Sequence, residues 1–279
     1  INYQKVDLVT LVKDAYFLYP KRFTDNTYEH ILLGEDPIYG FVLDENDPEN
    51  GNELVWNNSK PYVIYGYAAI PNNKTLVINE GAQIHFHYGS GIIAAQNATL
   101  QVNGTVANPV VMQSNRLEPM FENVAGQWGT IWMTSGSTAQ ISNAIIKNAT
   151  MGLLLEDNTN TLYNVQLYNH THYGILACHA TVLGENVVPN NLGKASLAIN
   201  LGGNYNFNHC TFSNYGTAGN TTSIVMDNGD GSSQFALTQA NFTNSIIYGS
   251  ATYALSFAKE GNTNFNFNFQ NNLIRFSDY

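Results

Sequence analysis

The chain has 279 residues, enough for one large domain or two ordinary ones, and its 21 acidic against 11 basic side chains give a net charge of −10. That balance excludes nucleic acid and an anionic membrane surface as main partners, because both would be repelled. The two cysteines, Cys178 and Cys210, are too few for a disulfide framework and lack metal-type spacing, and no apolar run reaches the ~18 residues that a membrane-spanning helix needs.

Charged residues are only 11% of the chain, which alone would suggest disorder or a membrane. Hydrophobic residues are 44% and aromatics 12%, enough to build a core. In chain order, residues 1–17 read as one or two plain strands, and residues 43–53 (LDENDPENGNE) as a polar, turn-rich loop. No repeat is visible before residue 56. Residues 74–113 alternate apolar and polar side chains with glycine at the bends, which fits two to three coil turns, and WGTIWM (128–133) begins another.

From residue 141 an internal repeat governs the sequence. ISNAIIKN (141–148), LYNVQLYN (162–169), LGENVVPN (183–190), FNHCTFSN (207–214), LTQANFTN (237–244) and FQNNLIRF (269–276) place two apolar residues five apart, with Asn two positions later. The first apolar column reads Ile141, Leu162, Leu183, Phe207, Leu237, Phe269. The second reads Ile146, Leu167, Val188, Phe212, Phe242, Ile274. The Asn column reads Asn148, Asn169, Asn190, Asn214, Asn244 and lapses at Phe276. A short apolar strand follows each Asn, at 152–156, 174–178, 195–199, 223–227 and 253–257. The first repeats are about 21 residues long, which holds three short strands and their turns; longer repeats carry inserted loops. The sequence therefore predicts an all-β, right-handed parallel β-helix over residues 56–279, preceded by a short irregular β segment over 1–55. The Asn column predicts a stacked amide ladder at one corner.

Chemistry-bearing residues are sparse. Arg116, Glu118, Trp128 and Trp132 form the most distinctive cluster. It reads either as a sugar- or protein-binding patch or as a loop packed on the coil and fixed by its Arg–Glu pair. The pairs His85/His87 and His170/His172 have the i, i+2 spacing that puts two ligands on one strand face, but no carboxylate or Cys stands beside them. The loops Asp44–Glu53 and Asp227–Ser233 carry oxygen donors of the Ca²⁺ type without matching a known loop pattern. Glu118, Glu122, Glu156, Asp157 and Glu185 show no spacing that pairs two carboxylates for glycoside hydrolysis. The few strand-borne bases, chiefly Lys147, Lys259 and Arg275, make lyase chemistry a poor fit. No catalytic residue, metal site or cofactor is assigned, and Cys178 and Cys210, on different faces, should be free thiols.

WNNSKPYVIYGYAAI (56–70), RLEPMFENVAGQWGTIWM (116–133) and LGGNYNFNHCTFSNY (201–215) resemble a group of Bacteroidetes surface lipoproteins of the right-handed parallel β-helix repeat type. The resemblance spans about residues 56–276. It implies an outer-membrane surface location through a lipid on an upstream Cys, and an immunoglobulin-like domain ahead of the coil, with residues 1–17 as its last strand. It implies no established activity. Two functions follow as expectations. One is a non-catalytic scaffold contacting a protein partner, as an accessory subunit of an outer-membrane transport, export or assembly complex. The other is a carbohydrate-active protein that binds or cleaves a glycan along a groove. The stretch 264–276 alternates Asn and Phe, and a protein partner or a further domain is expected against residues 262–279.

Overall fold

The computed structural model describes residues 14–33, 35–215 and 221–276. These residues form a right-handed parallel β-helix. Among them, 13 strands make one sheet, ten a second and three a third, and nearly every pairing is parallel. The exception is the hairpin of His30–Leu33 with Asp36–Val42. Among the described residues the one helical element is a short 3₁₀ turn, Pro119–Phe121, and no described helix is long and apolar enough to cross a membrane.

Each complete turn has three sides. One turn runs along Thr138–Lys147, bends at Asn143, and continues into Leu153–Glu156. The next repeats this along Thr159–His170 and Tyr173–Cys178. Inward positions are filled by aliphatic residues such as Ile141, Ile146, Leu162, Leu167, Leu153 and Ile175, all at most 1% exposed. Stacking turn on turn makes a continuous core in which each layer touches mainly its neighbours.

The coil begins earlier than the sequence pattern suggests. Tyr16–Leu18 already pairs in parallel with Tyr62–Ile64, and Gly40–Val42 with Tyr67–Ala69. The separation of residues 1–55 from the coil is therefore corrected: at least part of that segment is its first turn. The antiparallel hairpin interrupts the turn, which hides it from any periodic reading. The strand expected over residues 1–17 falls mostly outside the described residues.

The register also needs correction. The strand Thr181–Leu192 is offset by one residue from the sequence alignment: Leu162 faces Gly184 and Leu167 faces Pro189. Leu183 is 53% exposed, and Val188 is not in the core. The reason is steric. A Cβ on Gly184 would collide with the Phe207 ring in the next layer, so this turn supplies a glycine where its neighbours supply Leu162 and Phe207. One repeat further on, Phe242 stands opposite Phe207 and not opposite Phe212. Phe207, Phe242 and Phe269 form a ring stack, with centroids 5.5 and 5.0 Å apart, and Leu237 belongs elsewhere.

The corners account for part of the chain's high Asn content. The chain turns through left-handed backbone conformations, which glycine and Asn tolerate best. Asn73, Asn97, Gly136 and Asp157 serve one corner, Asn143, Asn164, Asn186, Asn244 and Asn271 a second, and Gly66, Asn148, Asn169 and Asn191 the third, all at φ between +42° and +76°.

Candidate functional site

The predicted ladder splits between two corners. Asn148 and Asn169 occupy equivalent positions at the third corner, but Asn191 replaces Asn190 there, donating to Asn169 Oδ1 at 2.6 Å. Asn190 faces Tyr168 on the strand, one residue out of register. Asn214 is buried and its Oδ1 accepts from Leu192 N–H at 3.0 Å. Asn244 lies at the second corner, donating to Asn208 Oδ1 at 3.0 Å. That second corner carries a chain the columns missed: Asn186 donates to Asn164 at 2.9 Å, Asn164 to Asn143 at 2.6 Å, and Asn143 to the Gly104 carbonyl at 2.8 Å.

Asn148 also ties down the loop of residues 115–127, donating to the carbonyls of Glu122 and Val124 at 3.0 and 2.8 Å. Asn169 reaches Asn123 Oδ1 at 3.2 Å. Within this loop Arg116 bonds Glu118 at 3.2 Å and lies 3.5 Å above the Phe121 ring. Loop and coil enclose a cavity of about 380 Å³ lined by His87, Tyr88, Arg116, Phe121 and Gln127.

The two tryptophans do not join Arg116 and Glu118 in one patch. Trp128 is 1% exposed, stacks on Phe86 at 4.3 Å and donates to the Lys147 carbonyl, so it is a core residue. Trp132 projects from the outer face of the ten-stranded sheet and donates to Glu156 Oε2 at 2.6 Å. Its neighbours along that face are Ile93 and Leu154.

The other candidate groups have separate partners. His85 is buried, with Nδ1 3.3 Å from the Ser114 carbonyl, and burial lowers its pKa; His87 meets Asn115. His170 is fully enclosed and accepts from Ala149 N–H at 3.1 Å, and burial holds its pKa down to about 3. His172 lies nearer the surface. Asp47 binds Lys21 at 2.6 Å and accepts two backbone N–H groups, and Glu53 accepts from Asp44 N–H and Asn50. Asp230 caps Ser232 and Ser233, and Asp227 accepts from Leu201 N–H. Among the described residues no three His, Cys, Asp or Glu side chains are grouped to hold a metal ion. The carboxylates weighed for hydrolysis are also dispersed: Glu156 holds Trp132, Asp157 accepts from Ser135, and Glu185 lies on the other sheet. Cys178 and Cys210 are free thiols, each with its pKa pushed up to about 11, mainly by burial.

A feature absent from the sequence reading is the outer face of the 13-stranded sheet. Strand register brings Thr161, Leu183, Asn206, Asn241 and Asn268 into one outward column, and Tyr163, Glu185, Asn208, Thr243 and Gln270 into the next. They line a groove of about 550 Å³. A second depression of about 460 Å³ beside it is lined by Thr138, Thr159, Thr181, Asn204 and Thr238. The sequence signal was available in NYNFN (204–208) and NFNFQ (266–270), where Asn alternates with aromatic residues.

Comparison with known proteins adds one match: residues 49–138 fit the family model described as a pectate-lyase like beta helix domain. No curated protein and no solved structure matches the chain.

Proposed function

We propose that this chain is a non-catalytic cell-surface β-helix module that acts as an interaction scaffold. The observation that carries the reading is the C-terminal end of the coil. In the interior layers Phe207, Phe242, Ile247, Ile224 and Met226 are fully buried. In the last described layer Phe257, Phe267, Leu273 and Phe276 are 43–75% exposed, and Phe269 and Ile274 are only partly covered. The strands Leu255–Ala258, Asn268–Gln270 and Leu273–Ile274 each have one neighbour, so three rows of backbone donors and acceptors face outward beside exposed rings. An edge of this kind takes up further strands, from a continuation of the same chain or from a partner.

The lipoprotein resemblance of residues 56–70, 116–133 and 201–215 supports placement on the outer-membrane surface, anchored upstream, as an accessory subunit of a transport, export or assembly complex. Hydrogen exchange tests this on the isolated chain and on material purified from native membranes. Residues 255–276 should gain protection in the native assembly. Equal protection in both, with the isolated chain monomeric at high concentration, would overturn the reading.

A further inference from the structure

We infer that the outer face of the 13-stranded sheet is a binding face for a neutral glycan, centred on Tyr163, Asn206, Asn241 and Asn268. This goes beyond the contact reading, because it uses a different surface and stands or falls without it.

The first observation is charge. On the side of this sheet that precedes the second corner, the outward positions from Thr138 to Gln270 are Thr, Ser, Asn, Gln, Tyr and Leu, with Glu185 the single ionisable carboxylate and no Lys or Arg; Lys147 lies past that corner. Solubility alone is served by charged side chains, which most exposed strands carry. A face without cations offers nothing to a polyanion, and one carboxylate offers little to a cation. The ligand that fits is uncharged.

The second observation is that two of the central amides, Asn206 and Asn268, are unspent, while Asn241 donates to Gln239 Oε1 at 3.3 Å and Asn208 accepts from Asn244 and Thr243. Among the described residues, the side chains of Tyr163, Asn206 and Asn268 make no hydrogen bond within the chain, whereas the corner amides are linked one to the next. Asn is also a poor strand former, so folding does not account for Asn206, Asn241 and Asn268 stacked at strand centres. Each amide offers two donors and an acceptor, which matches the hydroxyls of a sugar, themselves both donor and acceptor. Tyr163, 48% exposed, and Leu183, 53% exposed, supply the apolar platform on which the C–H face of a sugar ring rests. A protein partner would call for a larger apolar centre than these two side chains provide. Because parallel strands repeat at about 4.8 Å, the amide columns present the same groups several times over, as a polymer of repeating sugars requires.

The test is affinity electrophoresis of the chain through gels containing soluble mannan, xylan, β-glucan, levan or polygalacturonate. At least one neutral polymer should retard the chain, and polygalacturonate should not. The double variant Asn206→Ala/Asn241→Ala and the single variant Tyr163→Ala should each weaken that retardation about tenfold or more, as expected for loss of one or two good contacts. Their thermal midpoints should match that of the parent, and Trp132→Ala on the opposite sheet should bind as before. The inference is overturned if no neutral polymer retards the chain, if polygalacturonate retards it equally, or if the double variant binds as the parent does.

Discussion

The corners and the outer face of the 13-stranded sheet are built from the same amino acid put to opposite uses. Asn143, Asn164 and Asn186 sit at φ between +50° and +54°, and their amides are joined in one chain. Asn206, Asn241 and Asn268 lie in extended strands and point outward. At a corner, Asn is the residue that combines tolerance of left-handed backbone with an amide able to reach the next layer. On the face neither property is used. One amino acid therefore links the layers of the coil in one region and faces solvent in the other.

The core layer beside the corner sets the upper scale of this comparison. Leu167 is fully buried, and Leu167→Ala should destabilise the coil by about 2–5 kcal/mol in urea unfolding. Asn164→Ala should follow at about 2–3 kcal/mol, since it removes two inter-layer bonds and forces alanine into a left-handed conformation. Asn164→Gly should restore the backbone share and not the bonds. If Asn164→Ala costs no more than a face substitution, the distinction between the two regions fails.

A smaller effect should appear with pH. His170 sits beside Asn169 at the third corner as a neutral acceptor, with its pKa held at about 3, against an ordinary value near 6.5. Between those values the unfolded chain binds the proton and the folded chain does not. Stability should therefore be complete above about pH 6.5 and fall as pH drops, by at most about 1.4 kcal/mol per unit from this group. His170→Asn, which keeps an acceptor, should flatten that part of the curve in thermal melts recorded from pH 7 to 5. An unchanged slope would show that His170 is not the group responsible.

The smallest effect belongs to the face. Asn206→Ala and Asn241→Thr should change stability by less than about 0.5 kcal/mol, with the Thr variant neutral or slightly stabilising. A loss above about 1.5 kcal/mol would mean that these amides are structural after all.

Much of the coil was legible in the sequence because inward side chains recur layer after layer. Ile141 and Leu162, and Ile146 and Leu167, were aligned correctly by hydrophobicity alone. The alignment slipped at Leu183, because a large ring in the neighbouring layer demands glycine at 184, and glycine carries no apolar signal. It slipped again at Leu237, where a longer insertion separates Phe242 from its true partner Phe207. The site was less legible. Trp128 and Trp132 are four residues apart, yet one fills the core and the other faces outward, a difference fixed by layers distant in sequence. Sequence alone does not single out the outward amides, because Asn is an ordinary turn residue and most of the inter-layer amide bonds do lie at turns.

The direction of those amide bonds has an electrical consequence. In these inter-layer links between asparagines the later turn donates and the earlier turn accepts: Asn186 to Asn164 to Asn143, Asn191 to Asn169, Asn271 to Asn244. The amide dipoles therefore add head to tail and polarise one another along the axis. The coil is a polar rod, with amide hydrogens directed toward its N-terminal end and amide oxygens toward its C-terminal end. A layer added beyond the last of these turns must bring donors to the corner, and one placed before Asn143 must bring an acceptor, as the Gly104 carbonyl does, so the two directions along the ladder are not interchangeable.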